Sequence, residues 1–192
     1  MIRNKRKIYL ASRSPRRQQL LRQLNLNFET ISVDADETPR RNESPPSVVK
    51  RLSLEKMELA KLKVTDGIII TADTIVVLNG TILGKPVNVK DAYRILKLLS
   101  GNKHFVYTGF AVFNPYKNKT IVDYEKTAVT FRQLNMKEIR DYVKSGSPMD
   151  KAGAYGVQDD FGAVFVNRID GCYYNVVGLP LSKFYLALKE MM

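Results

Sequence analysis

The sequence predicts an α/β (or α+β) domain with a mixed sheet and flanking helices. Apolar strand-like runs alternate with helix-like segments along the first half of the chain. Asn79-Gly80, between Thr74–Leu78 and Thr81–Leu83, is typical of a type I′ antiparallel hairpin, and a longer antiparallel pair is predicted around Asn114–Asn118. These hairpins argue against a purely parallel Rossmann sheet. The length fits a single domain over residues 1–192, or one domain with two lobes.

The first part of the chain is expected to contain two strands and two helices. Lys7–Ala11 is typical of a buried strand, and Ser14-Pro15 is typical of a helix N-cap followed by proline at the first helical position. Phe28–Val33 predicts a second strand. Asp34–Ser47 is rich in proline and acidic residues and predicts a loop, after which a helix is expected from about Ser47 to Lys63.

The remaining chain continues this alternation. Gly67–Thr71 is an apolar run that predicts a strand covered on both faces. Asn88 is expected to cap a helix that runs to Ser100, and Asn135 with Glu138 resembles a capping box. The other expected features are a helix end at Gly146, strands at Phe105–Phe113, Thr120–Phe131 and Phe161–Ile169, and a last helix from Pro180.

The composition is that of a globular chain with an excess of positive charge. Hydrophobic residues make up 44% and charged residues 26% of the chain. The formal charge of +12 attracts polyanions such as nucleic acid, phosphorylated metabolites or acidic membrane surfaces. No apolar run approaches the roughly 18 residues of a membrane span, and Ile8–Ala11 is too short for a secretion signal. The chain is therefore expected in the cytoplasm, and the single Cys172 agrees with a reducing compartment.

The segment 12–17, Ser-Arg-Ser-Pro-Arg-Arg, is the first candidate site. Backbone N–H groups at a helix N-terminus bind anions, and arginine binds phosphate with two parallel hydrogen bonds. Arg16 and Arg17 in the first turn oppose the helix dipole unless an anion lies there. The segment predicts a phosphate site, and the alternative is a helix cap with solvated arginines.

Carboxylates follow two of the predicted strands. The second predicted strand is followed by Asp34, Asp36 and Glu37. The apolar strand Gly67–Thr71 is followed by Asp73. Such a carboxylate could hold Mg²⁺ or Mn²⁺, or accept a proton from an attacking water. The alternative for Asp73 is a turn residue that bonds its own backbone, and for Asp34 and Asp36 it is a solvated loop.

Two glycine-containing segments could contact a ligand. Lys85, held between a glycine and a proline, could reach a phosphate. The small residues of Asp150–Gln158 allow a ligand to approach the backbone, and Gln158 offers a donor and an acceptor to a base edge. Lys56, taken alone, is expected to be a solvent-facing charge. Tyr173-Tyr174 is expected in the core, and the alternative is that these aromatic rings stack on a base.

Five short motifs occur in order between Leu10 and about Leu188. They are Leu-Ala-Ser-Arg-Ser-Pro-Arg-Arg (10–17), Ala-Asp-Thr (72–74), Leu-Gly-Lys-Pro (83–86), Leu-Ser-Gly (99–101) and Val-Val-Gly-Leu-Pro-Leu (176–181). Together they resemble the Maf-like nucleoside triphosphate pyrophosphatases. The resemblance implies a Maf or ITPase-like fold, with a mixed sheet split between two lobes around a nucleotide-binding cleft. It also implies cleavage of nucleoside triphosphates to the monophosphate and pyrophosphate.

The resemblance implies a role for each candidate residue. Asp73 would be the catalytic base, which accepts a proton from the water that attacks the α-phosphorus. Glu37 and Asp73 would hold a divalent cation, Mg²⁺ or Mn²⁺. The implied phosphate-binding residues are Ser12, Ser14, Arg16, Arg17, Lys56 and Lys85.

Asp150–Gln158 and Tyr173–Gly178 are similar to the subfamily that acts on dTTP and UTP rather than on 7-methyl-GTP. The specificity positions implied by that subfamily are Arg16, Thr74 and Gln158. The chain departs from the subfamily at Asp159-Asp160, where two negative charges follow Gln158 in place of a glycine-containing turn.

Other functions stay open on the sequence. The charge would suit a nucleic-acid-binding protein, although no stripe of basic residues and exposed aromatic residues supports it. The family has been linked to septum formation, so a nucleotide-binding regulator of cell division is an alternative function. Modified pyrimidine triphosphates are alternative substrates. The expected partner is a nucleoside triphosphate and not a membrane. The sequence does not determine the oligomeric state, and a homodimer is one expectation.

Overall fold

The structure is a computed structural model that describes residues 6–158 and 161–192. Its strands and helices in chain order are β1 (Ile8–Ala11), α1 (Pro15–Gln23), β2 (Glu29–Ile31), α2 (Pro45–Lys61), β3 (Ile68–Leu78), β4 (Thr81–Leu83), α3 (Val89–Leu99), β5 (Lys103–Asn114), β6 (Lys119–Phe131), α4 (Met136–Lys144), β7 (Val166–Asp170), α5 (Tyr173–Val177) and α6 (Leu181–Met191).

Within the described residues, seven strands form one sheet in the order β2-β1-β3-β5-β6-β7, and β4 pairs with β3. Strand β1 is parallel to β2 and to β3, with Tyr9 opposite Glu29 and Ile8 opposite Ile68. Strand β4 is antiparallel to β3, and β7 is antiparallel to β6. The predicted mixed sheet with flanking helices is therefore confirmed.

The helix starts follow the capping residues that the sequence offers. The Ser14 side chain accepts a hydrogen bond from the Arg17 amide, and Asn88 caps α3 in the same way. Asn135 and Glu138 form the reciprocal capping box at the start of α4. These caps satisfy amide groups that lack partners within the helix.

Two boundaries in the first half differ from the prediction. Helix α2 begins at Pro45 rather than near Ser47, because Ser44 is the N-cap and its two following prolines occupy the first turn. Proline is tolerated there since the first-turn N–H groups have no intrahelical partner. The two strands predicted on either side of Asp73 are one continuous strand, β3. Asp73 therefore lies within a strand and not in a turn.

Residues 161–169 also differ from the prediction. Phe161–Phe165 forms a 3₁₀ helix, and the strand begins only at Val166. The rings of Phe161 and Phe165 meet edge to face with centroids 5.8 Å apart. That contact requires a helical turn, because four residues of strand span roughly 13 Å. The expectation that Tyr173-Tyr174 lies in the core is wrong, since both side chains are 40% exposed.

The chain divides into two compact units, and strands β3, β5 and β6 contribute residues to both. The first unit takes the described residues of Met1–Asp73, with Thr108–Glu125 and Gly178–Met192. One cluster of its core joins α2 to the sheet through Ala11, Met57, Ala60, Ile69 and Ala111. Helix α6 is attached to this unit by the Asn114 side-chain amide, which donates to the Met191 carbonyl at 2.6 Å.

The second unit takes Thr74–Tyr107 and the described residues of Lys126–Val177. Its core lies between its strands and helices α3 and α4, and contains Ile95, Leu96, Ile139 and Tyr142. None of the helices in the described ranges combines the length and the apolar character that crossing a membrane requires.

Candidate active site

Three predicted site residues meet inside the first unit. The Lys56 ammonium on α2 lies 2.7 Å from Glu37 Oε1 and 2.5 Å from Asp73 Oδ1. The side chains of Lys56 and Asp73 are 9% and 8% exposed, whereas Glu37 is 46% exposed. The buried Asp73 carboxylate is thus bound by the Lys56 ammonium, whose second partner, Glu37, is exposed to solvent.

The expectation that Lys56 faces solvent is wrong. Its position in α2 places it one helical turn from Leu52 and from Ala60, both buried. The helix therefore carries a lysine in its apolar stripe, and the carboxylates of Glu37 and Asp73 balance the buried charge. The helical spacing was the sequence signal, because a lysine in line with buried residues needs a partner.

The segment 12–17 forms a compact polar turn between β1 and α1. Ser12 is 9% exposed, and its Oγ accepts hydrogen bonds from the Ser14 amide and from Arg17 Nη1, both at 3.2 Å. Because both lone pairs of the hydroxyl are engaged, its hydrogen is available to donate to an anion. Phosphate binding at the start of α1 stays a prediction.

Arg17 connects this turn to the motif near the C-terminus. Its Nε donates to the Gly178 carbonyl at 2.9 Å. Burial lowers the pKa of the Arg17 guanidinium, while the negative charges of Asp73 and Glu37 act in the opposite direction. The Arg17 guanidinium therefore interacts electrostatically with Asp73 and Glu37, the two carboxylates that pair with Lys56. Arg16, the neighbouring predicted residue, is half-buried.

The donor chemistry of Glu37 and Asp73 fits a divalent cation. Among the described residues, no group of three or more His, Cys, Asp or Glu side chains is placed to hold a metal ion. Mg²⁺, however, is commonly bound by one or two carboxylates together with substrate phosphate oxygens. Both carboxylates already accept from one cation, the Lys56 ammonium, so one oxygen of each lies within 2.7 Å of the same nitrogen.

The other acids of the loop before α2 have local partners. Asp34 is ion-paired with Arg13, and Asp36 accepts a hydrogen bond from the Thr38 amide at 3.0 Å. The bonds to Thr38 lower the pKa of Asp36. Both acids thus belong to an exposed loop, which was the alternative stated for them.

In the second unit, the turn that carries Lys85 is bonded to the segment 150–158. The Gly153 amide donates to the Gly84 carbonyl at 3.1 Å. Gly153 has φ +70°, and a Cβ there would lie 2.8 Å from a Val76 methyl. Only glycine fits this place, which explains its position in the segment. Lys85 itself is exposed.

The rest of the segment 150–158 is held by buried aromatic residues. The Tyr155 hydroxyl lies 2.8 Å from His104 Nε2, and the Tyr142 hydroxyl accepts from the Gly156 amide at 3.3 Å. Gln158, two residues further on, is half-buried. Asp159-Asp160, where the chain departs from the subfamily, lie outside the described residues.

Thr74 is the first residue of the second unit and directly follows Asp73 in β3. Two sets of roles stay predictions. One is base selection by Arg16, Thr74 and Gln158, and the other is phosphate binding by the six residues named in the sequence analysis.

Solved structures with a similar fold come from the Ham1 proteins. A HAM1 protein from Coxiella burnetii matches with a TM-score of 0.52 at 16% identity, over 96% of this chain and 98% of that chain. The Ham1 protein of Staphylococcus aureus matches with a TM-score of 0.50 at 13% identity, over 83% of this chain and 79% of that chain. At these identities the similarity defines the class of fold.

The sequence comparisons define the family. Residues 7–191 match the model of the Maf-like proteins, and this chain belongs to that family. Among its curated relatives, a dTTP/UTP pyrophosphatase of Clostridium tetani is 48% identical over 185 residues, which is 95% of this chain and 96% of the relative. Proteins of the same name from Clostridium beijerinckii and Syntrophus aciditrophicus are 48% and 46% identical. They cover 96% of this chain, and the matches span 99% and 90% of the relatives.

Proposed function

We propose that this chain is a pyrophosphatase that hydrolyses dTTP and UTP to the nucleoside monophosphate and pyrophosphate. The observation that carries the proposal is the buried Asp73 carboxylate held by Lys56, in a chain that is 48% identical to a dTTP/UTP pyrophosphatase. A buried acid with a fixed partner is a group whose position is determined before substrate binds.

Asp73 acts as the proton acceptor. Lys56 engages one carboxylate oxygen, Oδ1, and so orients the second oxygen. That oxygen accepts a proton from a water molecule, whose oxygen forms a bond to the α-phosphorus. The bond from the α-phosphorus to the bridging oxygen breaks, and pyrophosphate leaves with the electron pair. No covalent enzyme intermediate is needed.

Glu37 and Asp73 would hold the divalent cation, Mg²⁺ or Mn²⁺, that this proposal includes. When bound, such an ion supplies positive charge that neutralises the triphosphate oxygens. The protein's own contribution is to present two carboxylates beside one another, one buried and one open to solvent.

The triphosphate is bound by positive and hydroxyl groups. The hydroxyls of Ser12 and Ser14 would donate to phosphate oxygens at the start of α1, where the Gly178 carbonyl and the Ser12 hydroxyl hold the Arg17 guanidinium. Positive charge near the departing phosphates stabilises the transition state. The proposed phosphate-binding residues are Ser12, Ser14, Arg16, Arg17, Lys56 and Lys85.

Arg16, Thr74 and Gln158 are proposed to select the base. Gln158 can donate and accept at once, which suits the amide-like edge of uracil or thymine. Modified pyrimidine triphosphates share this edge and are alternative substrates. The proposed setting is the cytoplasm, where nucleoside triphosphates are available.

The test is pyrophosphate release from dTTP, UTP, CTP, ATP, GTP and 7-methyl-GTP with Mg²⁺ or Mn²⁺. Asp73→Asn should lower turnover on dTTP and UTP by a factor of roughly 100 or more. The matched control is Asp66→Asn, because Asp66 is also paired with a lysine, Lys7, at 3.1 Å, but is 53% exposed. Its turnover should equal that of the wild type.

Release from dTTP and UTP that needs the metal and is lost only in Asp73→Asn supports the proposal. A wild-type protein that releases pyrophosphate from none of the six nucleotides refutes it. Equal losses in both variants would show that the effect does not depend on the buried carboxylate.

A further inference from the structure

Helix α2 lies unusually close to the sheet in the first unit. A Cβ at Gly109 on β5 would lie 2.4 Å from the Val49 carbonyl oxygen and 3.0 Å from the Lys50 amide nitrogen. Contacts under 3.0 Å would force the backbone apart. Glycine is therefore required at 109 by the approach of the helix backbone, and any side chain there would lift α2.

A second contact ties the same helix to β3. Thr71 is fully buried, and its Oγ1 donates to the Ser53 carbonyl at 2.7 Å. Ser53 is also fully buried, and its own Oγ donates to the Val49 carbonyl at 2.7 Å. The hydrogen bonds thus run from the strand to the helix turn that lies against Gly109.

This contact lies next to the Lys56–Asp73 pair. Thr71 and Asp73 are alternate residues of β3, so they face the same side of the sheet. Ser53 and Lys56 are three residues apart on α2, so they lie one turn apart on neighbouring positions of the helix surface. The hydrogen bond from Thr71 to Ser53 and the ion pair of Lys56 with Asp73 therefore join the same helix to the same strand.

We propose that Thr71 is a positioning residue for the Lys56–Asp73 pair. Its hydroxyl fixes the height and register of α2 on β3 through the Ser53 carbonyl. The lysine ammonium then reaches Asp73 Oδ1 in the geometry described above. The inference rests on the proposed function for its kinetic readout, and it also makes a prediction for the protein without substrate.

The first experiment replaces Thr71 by valine, which keeps the shape and removes the donor. Turnover of dTTP should fall roughly tenfold, with KM changed less than about twofold, because a displaced reacting group affects the chemical step. Thr71→Ser restores the hydroxyl and should recover most of the turnover. If Thr71→Val does not fold, Thr71→Cys replaces it, since a thiol is a weak donor.

The matched control is Thr127→Val. Thr127 is likewise fully buried. In the second unit its Oγ1 donates to a backbone carbonyl, that of Cys172, at 3.0 Å, and also accepts from the Asn175 side-chain amide at 2.9 Å. Its turnover should stay within about twofold of the wild type. Wild-type turnover in Thr71→Val, a change in KM alone, or an equal loss in Thr127→Val would each overturn the inference.

The second experiment needs no activity. In urea unfolding, Lys56→Met should raise the unfolding equilibrium constant both in the wild type and in Thr71→Val. The factor of this increase should be at least about fivefold smaller in the Thr71→Val background. Equal factors in the two backgrounds would overturn the positioning role even if the protein hydrolyses no nucleotide. If the wild type is inactive but the factors differ, the proposed function fails and the positioning role stands.

Discussion

The Lys56 ammonium nitrogen lies 2.5 Å from Asp73 Oδ1, and both side chains are more than nine-tenths buried. Removing one member of such a pair leaves the other buried without its counter-charge, which costs more than the pair contributes. The first unit should therefore be sensitive to the loss of either member of this pair.

Lys56→Met should lower the free energy of unfolding by about 3 kcal/mol, because it leaves Asp73 buried without its ammonium partner. Urea denaturation without nucleotide measures the change. Lys61→Met on the same helix is the control, since Lys61 pairs with the exposed Glu58 at 2.7 Å and should cost less than about 1 kcal/mol. Similar costs for the two variants would contradict the importance of burial.

Arg17→Lys should raise KM for dTTP at least about tenfold, because an ammonium cannot bond both Ser12 and the Gly178 carbonyl as the guanidinium does. Steady-state kinetics measures the effect. Arg22→Lys is the control on the same helix, where Arg22 meets Gln18 on the exposed surface at 3.4 Å. The prediction fails if KM is unchanged in Arg17→Lys.

Gly153→Ala should lower the free energy of unfolding for two reasons, which are the left-handed backbone at 153 and the clash of the new Cβ with Val76. We expect a loss of roughly 3 kcal/mol in unfolding free energy, and a rise in KM for dTTP and UTP as the segment 150–158 shifts. Gly146→Ala separates the two causes, because Gly146 has φ +75° but open space around it. It should cost only about 1 kcal/mol. Equal costs would show that the Val76 contact is unimportant.

Stability should depend on pH through His104. Burial lowers the pKa of His104 to about 4, well below its ordinary value of 6.5. The unfolded chain binds this proton first, so stability is retained above pH 6.5 and falls as the pH drops toward 4. The expected loss from His104 is about 3 kcal/mol.

Unfolding measured at pH 6.5 and at pH 4 in the wild type and in His104→Gln isolates this contribution. Carboxylates such as Glu43 and Glu138, whose pKa values are lowered by Arg51 and Arg132, also titrate in acid, but they do so in both proteins. The wild type should therefore lose more stability than the variant over this range. A variant with the same pH dependence would assign the effect to other groups.

The elements with local signals could be predicted from the sequence. Ser14, Asn88 and Asn135 cap helices where expected, and Asn79 and Gly80 both have positive φ, as the type I′ hairpin requires. These features depend on a few neighbouring residues, so the local chemistry determines them. Family membership was predicted from five motifs and is confirmed.

Features that depend on distant contacts could not be predicted. The burial of Lys56 depends on Glu37 and Asp73, which are far from it in sequence. The need for glycine at 109 arises only when α2 is placed on the sheet. Thr71 was included in an apolar run, because nothing local shows that its hydroxyl has a partner in a helix.

The position of Asp73 and Thr74 in β3 also bears on how the proposed activity could diverge. Asp73 is the last residue of the first unit and Thr74 is the first residue of the second, so one peptide bond joins the two residues. On the proposed roles, a substitution at 74 alters the choice of nucleotide and leaves the Asp73 carboxylate and its Lys56 partner, both residues of the first unit, unchanged. Selection could therefore explore new substrates at one position while the neighbouring position keeps the reaction intact.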